Sequence, residues 1–217
     1  MASYFNLTLD TTGPQSVALN INNGAAKTNN ALVTLGISTA DADTTGYQMK
    51  IWGYQGCMTE SSASWETFQA TKQVTLNAEG TNTLYVKIRD DVYNESIQAN
   101  ASIVLDTAVP VVTVYGPDYS KISKVTGKDT ATITFEADTA FTAYKVCVVS
   151  AATDIESAGV VIPTTNGSTN TSGSGSWSTG DTITTTIKGA DLEAASAGDG
   201  VKIVKVFVQN DTGTWSV

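Results

Sequence analysis

A chain of 217 residues with 41% hydrophobic and only 15% charged residues, the remainder rich in Ser, Thr, Asn and Gly, has the make-up of β-sheet with many turns. Its net charge of −9 argues against a nucleic-acid partner, because phosphate binding needs clustered Lys and Arg. There is no histidine, which removes the commonest general base and the commonest transition-metal ligand together.

Taken in order, Phe5, Leu7 and Leu9 alternate with Asn6 and Thr8, so residues 3–9 read as a strand. The phrase Leu9-Asp10-Thr11-Thr12-Gly13-Pro14 follows, and it returns 96 residues later as Leu105-Asp106-Thr107-Ala108-Val109-Pro110. That interval is about the length of one immunoglobulin-like sandwich. Between the two phrases, alternating apolar residues mark further strands: Val17-Leu19-Ile21, Val33-Leu35-Ile37, Tyr47-Met49-Ile51, Val74-Leu76, Leu84-Val86-Ile88 and Ala101-Ile103-Leu105. Turn residues separate them, such as Asn22-Asn23-Gly24 and Asn77-Ala78-Glu79-Gly80. Seven short strands so spaced are the pattern of a Greek-key sandwich.

The first module, over about residues 7–115, resembles the tandem immunoglobulin-like modules of bacterial and phage proteins. Four features carry the resemblance: the Asp-Thr-x-x-Pro junction, the Asn23-Gly24-Ala25 turn, Trp65 between the middle strands, and the loop Asp90-Asp91-Val92-Tyr93-Asn94-Glu95-Ser96. The resemblance implies the fold and leaves function open, since such modules serve as spacers, adhesive units and virion decorations.

The second module diverges. Val111 to Val114 opens it, followed by Ile133-Phe135 and Tyr144-Val146-Val148. Residues 151–180, rich in Ser, Thr, Gly and Asn with one aromatic at Trp177, read as a long loop, displayed on the surface or used as a contact loop. Asp191 to Ala195 reads as a short helix crossing between sheets. Val204, Val206 and Val208 then match Leu84, Val86 and Ile88 at an offset of 120, and Ser216 falls on Ser96. The expected organisation is all-β, two tandem immunoglobulin-like Greek-key sandwiches: an extended arm over 1–12, one domain over 13–108, and a second over 109–217 that lacks its final strand.

By the 96-residue period, residues 3–9 correspond to 99–105, the last strand of the first module. Two readings are open. The arm of a neighbouring copy completes the second module by strand addition, with Phe5, Leu7 and Leu9 as the inter-subunit strand. Alternatively, the second module closes without it and the arm lies on the first module.

No reaction chemistry stands out. Ser120 and Ser123 each precede a lysine in a loop, without the base that a serine nucleophile needs. Cys57 and Cys147 fall in different modules and read as free thiols. No cofactor is expected. Ca²⁺ is the one metal to consider, at junction carboxylates Asp10 and Asp106 or loop carboxylates Asp41, Asp43, Asp90 and Asp91, which otherwise cap turns. Trp52, Tyr54 and Trp65, with Phe68 nearby, either fill the sandwich or form an exposed platform for sugar rings.

Residues 1–6 have neither the basic nor the apolar segment of a secretion signal, and no apolar run suits membrane insertion. The expectation is a non-enzymatic virion protein of a phage, a capsid decoration, neck or tail appendage, made in the host cytoplasm. Its partners would be other virion proteins or copies of itself. The alternative is a carbohydrate-binding or cell-adhesion module that takes host-surface glycans on its aromatics.

Overall fold

The computed structural model describes residues 3–217. The chain divides between Thr107 and Ala108 into two compact units. In unit 1 the strands are β1 (Ala18–Ile21), β2 (Lys27–Thr28), β3 (Leu32–Ser38), β4 (Gln48–Trp52), β5 (Glu66–Thr67), β6 (Thr71–Thr75), β7 (Gly80–Arg89) and β8 (Ala99–Leu105). One sheet has the order β1-β3-β6 and the other β2-β8-β7-β4-β5. The chain changes sheets between β1 and β2: β1 runs antiparallel to β3, whereas β2 runs parallel to the last strand, with Lys27 opposite Val104.

The alternation in the sequence is what fills the space between these sheets. Successive side chains of a strand point to opposite faces, so one face can be wholly apolar. Val33, Leu35, Met49, Ile51, Leu84, Val86, Ile88 and Ile103 form the buried centre of unit 1. Their neighbours Thr34, Lys50 and Lys87 lie on the other faces of the same strands.

Unit 2 repeats the plan with β9 (Val112–Tyr115), β10 (Thr130–Ala137), β11 (Phe141–Val149), β12 (Val160–Val161), β13 (Ser172–Trp177), β14 (Ile183–Lys188), helix α1 (Gly189–Ala195) and β15 (Ile203–Gln209). One sheet is β14-β10-β9; in the other, β11 pairs with β15 and with β12 and β13. Phe135, Phe141, Val146, Ile162 and Val208 lie at its centre.

Two expectations are corrected here. Residues 151–180 are not one long loop, because β12 and β13 both pair with β11. The Ser-Gly-Ser-Gly-Ser-Trp sequence of β13 lacks the β-branched residues of an ordinary strand, and its glycines explain why it is one nonetheless. A Cβ on Gly173 would lie 2.6 Å from the Tyr144 ring, and one on Gly175 would lie 3.0 Å from the Trp177 ring. The strand is kept bare so that aromatic rings can lie against it. The second correction concerns residues 3–9, which join no strand of their own chain. Phe5, Leu7 and Leu9 are 85–86% exposed, so the arm does not lie on unit 1. Residues 1 and 2 of the expected arm lie outside the described residues.

Candidate docking site

The offset of 120 read from the sequence is a structural equivalence. In unit 1 the Ser96 hydroxyl accepts the Ile88 N–H at 3.0 Å, and in unit 2 the Ser216 hydroxyl accepts the Val208 N–H at 3.1 Å. The Ser96 N–H donates to the Ile88 carbonyl and the Ser216 N–H to the Val208 carbonyl, each at 2.8 Å. Asp90 accepts the N–H groups of Val92 and Asn94; Asn210 accepts those of Thr212 and Thr214. Isolated bridges Arg89–Glu95 and Gln209–Trp215 complete the match. β15 is therefore the β7 of unit 2.

The two strands differ in their partners. β7 lies between β4 and β8. Among the described residues, β15 has β11 as its only strand partner, and nothing takes the place of β8. Apart from Val208, whose N–H and C=O are bonded to Ser216, its outer edge has no strand partner, the feature by which sheets recruit further strands. Beside that edge lies a groove of about 880 Å³, opening between the two sheets and walled in part by Val114, Ile133 and Leu192. In unit 1 the last strand seals its sandwich with Ile103 and Leu105, both buried. Where no such strand covers it, Val114 of β9 is 44% exposed. Val204 and Val206 of β15 line the groove, with the stretch Asp199 to Lys202 just before that strand. The Lys202 ammonium is drawn aside, donating to Ser196 Oγ and the Ala197 carbonyl.

Each unit is an immunoglobulin-like β-sandwich. No protein-family model matches the chain, and no curated protein matches it either. Among solved structures it is similar to fibronectin(III)-like modules of Clostridium thermocellum CbhA, at 15% identity and TM-score 0.47, over 92% of this chain and 89% of that one. It is also similar to the PKD domain of an M14-like peptidase from Thermoplasmatales archaeon SCGC AB-540-F20, at 15% identity and TM-score 0.33, over 44% of this chain and 98% of that one. A third is a carbohydrate-binding module from the β-sandwich superfamily, at 14% identity and TM-score 0.36, over 95% of this chain and 99% of that one. The fold itself rests on the sheet order and register described above.

Trp52 is buried, stacked on Tyr85 with ring centroids 5.5 Å apart. Tyr54 packs against the core of unit 1. Trp65 is half-buried, with the Lys50 ammonium 4.8 Å and the Arg89 guanidinium 4.5 Å from its ring. These three rings do not make an exposed row. Trp177 stacks on Phe141 at 5.0 Å and meets Tyr144 edge-on at 5.4 Å, so it packs against the core and is not the tip of a contact loop.

Cys57 and Cys147 are both free and buried, and burial pushes the Cys147 thiol up to about 11, away from the reactive thiolate. The Ser123 hydroxyl donates to the Lys128 carbonyl and accepts the Val125 N–H, holding a turn. Asp10, Asp41, Asp43 and Asp90 each accept backbone N–H groups. Among the described residues no three His, Cys, Asp or Glu side chains gather as a metal-ligand set. Nor is any helix among them long and apolar enough to cross a membrane.

Proposed function

We propose that this chain is a non-enzymatic structural and adhesive protein that docks along the open edge of β15 and the loops around it. The observation that carries the reading is the groove beside a strand edge that, in the chain's own first unit, a further strand covers. Backbone pairing along such an edge supplies affinity, and pockets for alternate side chains supply selectivity. We extend this to a virion role, as a capsid decoration, neck or tail appendage of a phage, made in the host cytoplasm. Weak contacts repeated over many copies then give firm attachment.

The glycan-binding alternative requires open ring faces, and Trp52 lies against Tyr85 while Trp65 lies beneath two cations. The test is purification of particles on a density gradient from the protein's native source. The protein is expected in fixed stoichiometry with the major particle proteins, and silent on glycan arrays. Absence from every particle fraction, together with glycan binding lost in Trp65→Ala, would overturn the reading.

A further inference from the structure

We infer that the occupant of the β15 edge is the N-terminal arm, Ser3 to Leu9, of a second copy of this chain, so that copies join head to tail by strand donation. The inference rests on the reading of that edge as a docking site and names its partner.

Three matches support it. The first is place in the repeat: Ser3 to Leu9 stands 96 residues before Ala99 to Leu105, which is β8, the strand whose place is open. The second is register. In unit 1, Leu105 pairs with Gly80, Ile103 with Asn82, Ala101 with Leu84 and Ala99 with Val86. Shifting the arm by 96 and β7 by 120 sets Leu9 opposite Gly200, Leu7 opposite Lys202, Phe5 opposite Val204 and Ser3 opposite Val206. All four line the groove, Val204 and Val206 within β15 and Gly200 and Lys202 just before it, where Asp199 and Val201 line it as well. Gly80 and Gly200 also share a positive φ, 87° and 128°, at the start of the pairing.

The third match is shape. β7 turns Leu84, Val86 and Ile88 into its core and receives the small Ala101 opposite Leu84. β15 offers Val204, Val206 and Val208 at the same places, with valine in place of Leu84 and Ile88 and unchanged at Val86. The arm brings a phenylalanine where β8 has alanine, so Phe5 with Val204 replaces Ala101 with Leu84. Leu7 and Leu9 stand for the buried Ile103 and Leu105, and Asn6 and Thr8 fall on the outward face.

The arm is also free to be donated. Its apolar side chains find no cover in their own unit, and its exit is fixed where the Asn94 side-chain amide donates to the Asp10 carbonyl. The pair that follows it, Asp10-Thr11, repeats the Asp106-Thr107 that follows β8. A row of copies joined in this way reads as a continuous tandem array in which one strand per chain is supplied from outside. Such a contact is heterologous, with donor and acceptor at different places on each copy. It therefore extends into open chains unless the rotation happens to close a ring.

The test uses the full chain in analytical ultracentrifugation across a concentration series, with Leu7→Asp and Thr8→Asp variants. Both sites are exposed in the single chain, so neither substitution disturbs its folding. The wild type is expected to give a concentration-dependent ladder of multiples of the chain mass. Leu7→Asp, which would put a carboxylate in the groove, should weaken association by at least about 100-fold, and Thr8→Asp by less than about 5-fold. A labelled Ser3–Asp10 peptide should bind full-length Leu7→Asp chain, and the same peptide carrying Leu7→Asp should not. A monomeric wild type with no peptide binding overturns the inference and leaves the edge to another protein or to a segment of a longer chain. Equal loss in the two variants overturns the register. A monomer that still bands with particles would sink strand donation alone and leave the docking role standing. A ladder without particle association would do the reverse.

Discussion

Replacing Asp191 with alanine should cost unit 2 about 3–5 kcal/mol, a large share of the roughly 5–15 kcal/mol that holds a typical domain together. Asp191 is buried in the first turn of α1 and accepts four hydrogen bonds from the 165–168 turn. Thr165 Oγ1 donates at 3.1 Å, the Asn166 N–H and side-chain amide at 2.8 Å each, and the Ser168 N–H at 2.9 Å. Removing the carboxylate leaves these donors without their acceptor away from water, and each such loss costs about 1–3 kcal/mol. Asn at 191 keeps the shape but turns an amide donor toward other donors, so it should also destabilise.

The same group sets a pH dependence. Burial alone would raise its pKa, but hydrogen bonds from Ser168 and Asn166 outweigh that and bring it from the ordinary 3.8 down to about 2. The folded carboxyl thus holds its proton more weakly than the unfolded one. Its contribution to stability is full above the ordinary value and is lost as pH falls through about 2. Urea denaturation of unit 2 in wild type should show that loss over this window, and in Asp191→Asn it should not. Parallel curves for the two proteins would contradict the assignment.

Substituting Gly53 with alanine should destabilise unit 1 by about 2–5 kcal/mol, combining left-handed backbone strain with overpacking. Gly53 follows β4 with φ 93°, and a Cβ there would lie 2.3 Å from the Thr83 carbonyl oxygen and 3.2 Å from Leu84 Cα. Neither neighbour is a pliant side-chain tip; both are backbone of β7, the strand at the middle of its sheet. Gly24→Ala is the matching control. It has φ 85° but nothing within 4 Å of the added carbon, so only the strain of about 1 kcal/mol should register. Thermal melts of the two variants separate the effects, and equal shifts would show that the close approach to Thr83 is immaterial.

The strands whose residues alternate strictly were legible in the sequence because alternation and burial are one fact seen twice. Met49 and Ile51, or Leu84, Val86 and Ile88, could face only a core. β13 was not legible, since Gly173 and Gly175 are small to admit the rings of Tyr144 and Trp177, a reason that depends on another strand. The role of Asp191 was hidden likewise, because its partners lie 23–26 positions away. In the sequence Trp52 and Trp65 stood alike between core packing and an exposed platform; only Tyr85 on one and the cations on the other distinguish their surroundings. For the docking site, the sequence carried the displaced period and the alternation of the arm. The groove that gives them meaning is formed by β9, β10 and α1 together, and no local pattern announces it.

β15 is built like the interior strand β7, yet among the described residues it stands at an edge. Hydrogen–deuterium exchange on the monomeric Leu7→Asp chain tests it most directly, comparing amides of Ile203–Gln209 with those of Gly80–Arg89. Alternate β15 amides other than that of Val208, which is bonded to Ser216, are expected to exchange rapidly while β7 stays protected throughout, and added Ser3–Asp10 peptide to slow them. Protection of β15 equal to that of β7 in the peptide-free monomer would contradict it.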